Sequence, residues 1–261
     1  MDLNLTGQHA LVCGASEGIG RATAIALAEL GATVTVLARR PDRLEAVRAA
    51  LPRPAQQVHG ALAADAIDAD DLRAKVSALC AAQPVRILVN NTAGPAGGPA
   101  HAATPEQYLE VFRQHLIANQ ILVQSVLPGM KAAGGGRIVN VISTSVKEPI
   151  ANLGVSNTIR GAVASWAKTL SSELGPFAIT VNNVLPGYTR TQRLDQILAE
   201  RAASTGKTAD DIAAAMLATV PAGRFAEAAE IAAAIAFLCS PAAAYINGIN
   251  LPVDGGRTKS L

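Results

Sequence analysis

The chain has 261 residues, half of them apolar, and a formal charge of +2 at neutral pH. That length and composition suffice for one large core, and the even spread of the pattern points to one domain, residues 1–261, rather than two. Lysines and arginines are scattered and aromatics make up only 3% of residues, so neither a basic stripe nor stacking platforms are present and nucleic acid is not an expected partner.

Apolar stretches are broken by charge, Gly or Pro well before the ~18 positions a membrane span needs. The opening "MDLNLTGQHA" lacks a basic region followed by an apolar run, so a cytoplasmic protein with no membrane contact is expected. Cys13, Cys80 and Cys239 lie far apart in apolar surroundings, and His9, His59, His101 and His115 show no ligand spacing. Buried thiols and no metal are the expectation.

In chain order, "HALVCG" and "TVTVLA" read as short strands, each followed by an Ala-rich helical stretch. The pattern recurs at "QQVH", "RILVNN", "GRIVNVIS" and "AITVNNVL" and ends at "GINLPVD". Strand and helix in alternation predict an α/β fold, a three-layer Rossmann-type doubly wound parallel sheet. "AAGGGR" marks a turn between helix and strand. The one long departure, residues 188–221, is polar and then helical; it is either a substrate lid or a structural helix pair.

The first strand runs into "GASEGIG", with Gly14, Gly18 and Gly20. Glycines there allow a tight turn and let a pyrophosphate approach the amides of a helix N-terminus, where the helix dipole favours negative charge. A dinucleotide site for an unmodified ribose places an acidic side chain about 20 residues further on, whereas arginine suits a 2′-phosphate. Ala38 stands at that place and Arg39 and Arg40 follow, which favours NADP(H) over NAD(H). Glu17, inside the loop, would oppose the extra phosphate if it pointed inward.

With these landmarks the chain resembles the short-chain dehydrogenases/reductases, and among them the 3-oxoacyl-acyl-carrier-protein reductase-like members. The resemblance spans nearly the whole chain: "GASEGIG", Asp65, "LVNNTAG", "LPGM", "GRIVNVIS", "VNNVLPG" and the terminal run ending "LPVDGG". It implies cofactor contacts at Gly14, Ser16, Gly18, Ile19 and Gly20, at Arg39, Arg40 and Asp65, at Asn91, Ala93 and Gly94, and at Arg160, Pro186 and Gly187. It also implies a homotetramer or homodimer built on the two long central helices, and a small-molecule or acyl-thioester substrate.

The family generally uses an asparagine, a serine, a tyrosine thirteen residues later and a lysine four beyond that. Here those places carry His115, Ser143, Ser156 and Arg160, so the resemblance implies an atypical tetrad. A subgroup that resembles acyl-carrier reductases shares such a tetrad, often with a similar "SVKEP" run. "NNTAG" also displaces the usual "AG" by an inserted threonine.

Hydride addition to a carbonyl leaves an alkoxide, which needs a hydrogen-bond donor and then a proton. A serine hydroxyl is too weak an acid to replace a tyrosine whose ordinary pKa is about 10. Arg160 can still hold the ribose as a cation, and Ser143 can still donate to a substrate oxygen. Tyr188, His115 and Lys147 are the candidate proton donors, and Tyr188 is preferred. Each has a purely structural alternative: hinge packing, a satisfied helix histidine, a solvated loop charge. Two functions stay open, an NADP(H)-dependent reductase of a ketone, possibly a 3-oxoacyl thioester, and a nucleotide-binding sensor or scaffold without turnover.

Overall fold

The computed structural model describes residues 1–260. Five parallel crossovers give β1 (His9–Cys13), α1 (Gly18–Glu29), β2 (Thr33–Ala38), α2 (Pro41–Ala50), β3 (Gly60–Ala63), α3 (Ala69–Ala82), β4 (Ile87–Asn90), α4 (Pro105–Phe112) running into α5 (Ala118–Ala132), β5 (Gly136–Val141), α6 (Gly154–Leu174) and β6 (Ile179–Pro186). The chain then makes β7 (Thr189–Arg190), α7 (Gln192–Thr205), α8 (Ala209–Leu217), β8 (Ala226–Glu227), α9 (Ala228–Cys239) and β9 (Asn250–Val253). The main sheet is seven-stranded and parallel, in the order β3-β2-β1-β4-β5-β6-β9. Its order reverses between β1 and β4, where a crevice opens at the carboxyl ends of the strands.

The strands read as unbroken apolar runs because both faces are covered. Along β1, Ala10 and Val12 join the core under α1 and α9, while Leu11 and Cys13 join the core on the other face with Leu72 of α3 and Ile121 of α5. Cys13 and Cys239 are buried, and burial pushes both thiols up to about 12. Cys80, expected to be buried, is only partly so. Among the described residues no helix is long and apolar enough to cross a membrane.

The third strand differs from the expectation. "QQVH" is not a strand: Gln57 donates from Nε2 to the Ala28 and Ala32 carbonyls, and His59 Nδ1 accepts from the Val34 amide, so these polar side chains anchor a loop. The strand forms one step later, where Gly60 pairs with Thr35. A Cβ at Gly60 would come within 2.9 Å of Thr35 Oγ1, so backbone fit outweighs the poor strand propensity of "GALA".

Four asparagines in register cross the sheet as a ladder. Asn90 Nδ2 donates to Asn140 Oδ1 (2.8 Å), Asn140 Nδ2 to Asn183 Oδ1 (2.9 Å), and Asn183 Nδ2 to Asn250 Oδ1 (2.8 Å). Asn182 instead serves backbone groups, donating to the Ile246 carbonyl and accepting from the Ile249 amide. The buried Asn140 and Asn183 amides are thereby paired at both nitrogen and oxygen rather than left to incur a desolvation penalty, whereas Asn90 Oδ1, at the start of the row, is buried without a partner among the described residues.

Candidate active site

One cleft of about 810 Å3 runs along the carboxyl ends of the strands. At one end lies the glycine loop, with Gly14, Ser16, Gly18 and Ile19 in its wall. Gly14 has φ +59°, and a Cβ there would sit 2.5 Å from the Asn91 carbonyl oxygen. A Cβ at Gly20 would meet the Gly14 carbonyl at 2.2 Å, so Gly20 brings α1 against the loop rather than facing the cleft. Glu17, the residue before α1, gives its first turn no side-chain cap, leaving the amides there available to an anion.

Beyond the loop, Ala38, Arg39 and Arg40 line the cleft at the end of β2, both arginines exposed. Glu17 is engaged by Arg43 at 2.7 Å, which offsets its charge beside these arginines. Asp65 also lines the cleft, and its carboxylate accepts from the Ile67 amide at 3.1 Å. Asn91 reaches back from Nδ2 to the Cys13 and Gly14 carbonyls, tying the end of β4 to the loop. Ala93, Gly94, Pro186 and Gly187 continue the wall. These residues fit a nicotinamide dinucleotide: a glycine cradle at an uncapped helix start, and cations with no acidic residue at the ribose position.

Of the residues expected to react, Arg160 and Tyr188 line the other end of the cleft, whereas Ser143, Lys147 and His115 do not. Arg160 projects from α6 and is buried, donating from Nη1 to the Val141 (3.2 Å) and Ile142 (3.1 Å) carbonyls. A Cβ on Gly94 would lie 3.6 Å from its Nη2, so that nitrogen faces the "NNTAG" loop. Burial lowers its pKa to about 10, which leaves a cation at neutral pH. Ser156 is buried in the first turn of α6 and is not part of the cleft wall.

Ser143 precedes a short helical turn, Thr144–Val146, and its Oγ accepts from the Ser145 amide at 3.1 Å. Neither Ser143 nor Lys147, which follows that turn, lines the cleft, although their neighbour Ile142 does. Tyr188 does line it. Its ring meets Phe225 edge-on with centroids 6.2 Å apart, and the Arg257 guanidinium lies 4.8 Å from its centre. Arg257 also donates to Thr144 Oγ1 at 3.3 Å, linking the two loops. Nothing in the sequence pattern flagged Arg257.

His115 sits in a π-helical segment, Arg113–Ile117, wedged between α4 and α5. Such one-turn widenings are rare and recur at functional sites. The imidazole is buried, and burial first, then the Arg160 charge, lower its pKa to about 3, with the Ala93 backbone acting the other way. Its Nδ1 lies 2.6 Å from Thr92 Oγ1. Thr92, which the sequence showed only as an insertion, lines the cleft while His115 does not.

Residues 188–221 hold β7, α7 and α8 and the turns that join them. Thr191 caps α7, and its Cγ2 would lie 3.2 Å from a Cβ on Gly18. Arg193 spans the mouth, donating from Nη2 to the Pro95 carbonyl at 3.0 Å. Ile197 lines the cleft, whereas Ile212 and Met216 pack with Leu194 and Phe225, joined by Leu198 and Leu217.

The family profile described as Enoyl-(Acyl carrier protein) reductase matches residues 14–258. The chain is 35% identical to the L-xylulose reductase of Mesocricetus auratus over 257 residues, 98% of each chain. It is 34% identical to the 3-oxoacyl-(acyl-carrier-protein) reductase of Vibrio harveyi over 259 residues, 97% of this chain and 98% of that one. Among solved structures, the L-sorbose reductase of Gluconobacter frateurii, complexed with NADPH and L-sorbose, superposes with a TM-score of 0.93 at 29% identity, covering 100% of both chains. Sequence, profile and superposition agree from end to end: the chain belongs to the short-chain dehydrogenase/reductase family, in its 3-oxoacyl-acyl-carrier-protein reductase-like group, and is an NAD(P)-dependent oxidoreductase.

Proposed function

We propose that the protein reduces a ketone with NADPH, using a proton donor other than the family's tyrosine. The observation that carries this is the continuity of the cleft, which joins the glycine loop and the Arg39–Arg40 pair to Arg160 and Tyr188. Bound there, NADPH supplies a hydride to a carbonyl carbon, and the carbonyl oxygen keeps the bond's electron pair and then takes a proton.

Arg39 and Arg40 read the 2′-phosphate, and the helix start receives the pyrophosphate. Arg160, in the place of the family's lysine, holds the nicotinamide ribose through Nη2. As a buried guanidinium it stays charged and passes no proton. Of the three candidate acids, His115 is neutral at physiological pH and Lys147 is outside the cleft wall, whereas the Tyr188 phenol is in it. Tyr188 therefore gives the proton, Ser143 stands outside the cleft wall as Lys147 does, and residues 188–221 act as the lid that excludes water.

Substrates worth trying follow the relatives' names: a ketose such as L-xylulose or L-sorbose, and a 3-oxoacyl thioester. NADPH and NADH are titrated by fluorescence, then each ketone is added while reduced-nicotinamide absorbance is followed. NADPH binding with ketone-dependent oxidation is expected, and Tyr188→Phe should lower turnover about 10²–10⁴-fold with nucleotide affinity unchanged. Unchanged turnover in Tyr188→Phe removes the tyrosine from the proposal. Tight NADPH binding with no oxidation of any ketone would favour a nucleotide-binding sensor.

A further inference from the structure

Thr92 and His115 form a pair that the activity above leaves unused. Thr92 lies in the cleft wall between Asn91 and Ala93, on the loop that faces Arg160. Behind it, His115 Nδ1 is 2.6 Å from the hydroxyl oxygen, and His115 Nε2 is buried with no hydrogen-bond partner among the described residues. His115 lies within the π-helical segment Arg113–Ile117 and is buried there.

The direction of that hydrogen bond decides what Thr92 can do. If Nε2 carried the proton, a buried N–H would be unpaired and Nδ1 would consume the threonine's proton. If Nδ1 carries it, the imidazole donates to Oγ1, the unpaired atom is a lone pair, and the hydroxyl proton is free to turn into the cleft. An orphaned N–H is the rarer and costlier of the two.

We infer that Thr92, oriented by an Nδ1–H donor on His115, is a second ribose-gripping group of the nicotinamide end, working beside Arg160 in place of the family's usual tyrosine and lysine contacts. Thr92 touches the cofactor, whereas His115 is a positioning residue acting through it. This rests on the cofactor reading proposed above. It accounts for two departures from the family pattern together, the threonine inserted in "NNTAG" and the histidine at the asparagine place.

The test separates the two ends of the nucleotide. Affinities of NADPH and of adenosine 2′,5′-bisphosphate, which lacks the nicotinamide ribose, are measured by calorimetry for the wild type, Thr92→Val and Thr92→Ser. Thr92→Val should weaken NADPH about 5- to 20-fold and leave the bisphosphate unchanged, and Thr92→Ser should stay within about 2-fold of the wild type, as expected for one buried hydrogen bond. Nitrogen-15 spectra of the histidine-labelled wild type should show His115 protonated on Nδ1 and not on Nε2. Equal NADPH affinity in wild type and Thr92→Val, an equal loss for both ligands, or protonation on Nε2 would each overturn the inference. Failure of the wild type to bind NADPH at all would instead remove the cofactor reading, and this inference with it.

Discussion

The two ends of the cleft are built on different principles. At the nucleotide end, backbone does the work: glycines at 14, 18 and 20 bring amides and helix start close, and a side chain at two of them would strike a carbonyl oxygen. At the reacting end, side chains do it: Arg160, Tyr188, His115 and Thr92 are each fixed by particular partners. A backbone cradle tolerates almost no substitution, since it has no alternative atoms to use. A side-chain constellation can be exchanged group by group over an intact cradle.

The sharpest way to break this contrast is Gly14→Ala. It forces a side chain into φ +59° and within 2.5 Å of the Asn91 backbone oxygen, so a loss of about 2–5 kcal/mol and abolished NADPH binding are expected from thermal melts and titration. A mild phenotype would mean that the loop is not a rigid cradle. Next comes Asn140→Leu, which strands the Asn90 donor and the Asn183 acceptor in the sheet. A loss of about 2–4 kcal/mol, a fall in Tm of roughly 5–15 °C, is predicted with little change in nucleotide specificity.

Charge at the ribose position gives a smaller, selective effect. Replacing Arg39 and Arg40 by alanine should weaken NADPH about 10- to 50-fold and leave NADH unchanged, because each exposed arginine interacts with a phosphate that is still partly hydrated. Equal losses for both nucleotides would show that the arginines do not read the 2′-phosphate.

The smallest effect is acid sensitivity. His115 has its folded-state pKa lowered to about 3, so the unfolded chain takes up a proton below about 6.5 that the folded chain refuses. Stability from this site is fully present above pH 6.5 and is lost progressively as pH falls toward 3. At one pH unit below 6.5 the loss is about 1.4 kcal/mol, and His115→Asn should not show it in urea melts at pH 7.5 and 5.5. His9 and His59 are lowered as well, mainly by burial, but both remain in the variant and cancel in the comparison.

The architecture was legible because parallel strands covered on both faces leave an apolar run in the sequence, and because the glycine loop needs its residues at fixed spacing. The strand at Gly60–Ala63 was not, since its sequence has weak strand propensity and is held by pairing to β2. Likewise the placing of Arg39, Arg40 and Asp65 in one wall follows from local order along successive strands. Thr92 and His115 are 23 positions apart and meet in the fold with His115 in a π-helical segment, a feature with no period of its own. Arg257 reaches Tyr188 across the fold, and no local pattern announces such a contact.

The asparagine ladder has a direction. Asn90, Asn140 and Asn183 each give from their nitrogen toward β9, and Asn140 and Asn183 receive at their oxygens from the β4 side, so the three dipoles point the same way. Turning over Asn140 or Asn183 would set nitrogen against nitrogen on one side and oxygen against oxygen on the other, and turning over Asn90 would set its oxygen against that of Asn140. The row can therefore reverse only as a whole, and aligned links of this kind strengthen one another. The sheet beneath the cleft thus carries a fixed polarity across four strands, a kind of internal compass needle that no single residue can turn.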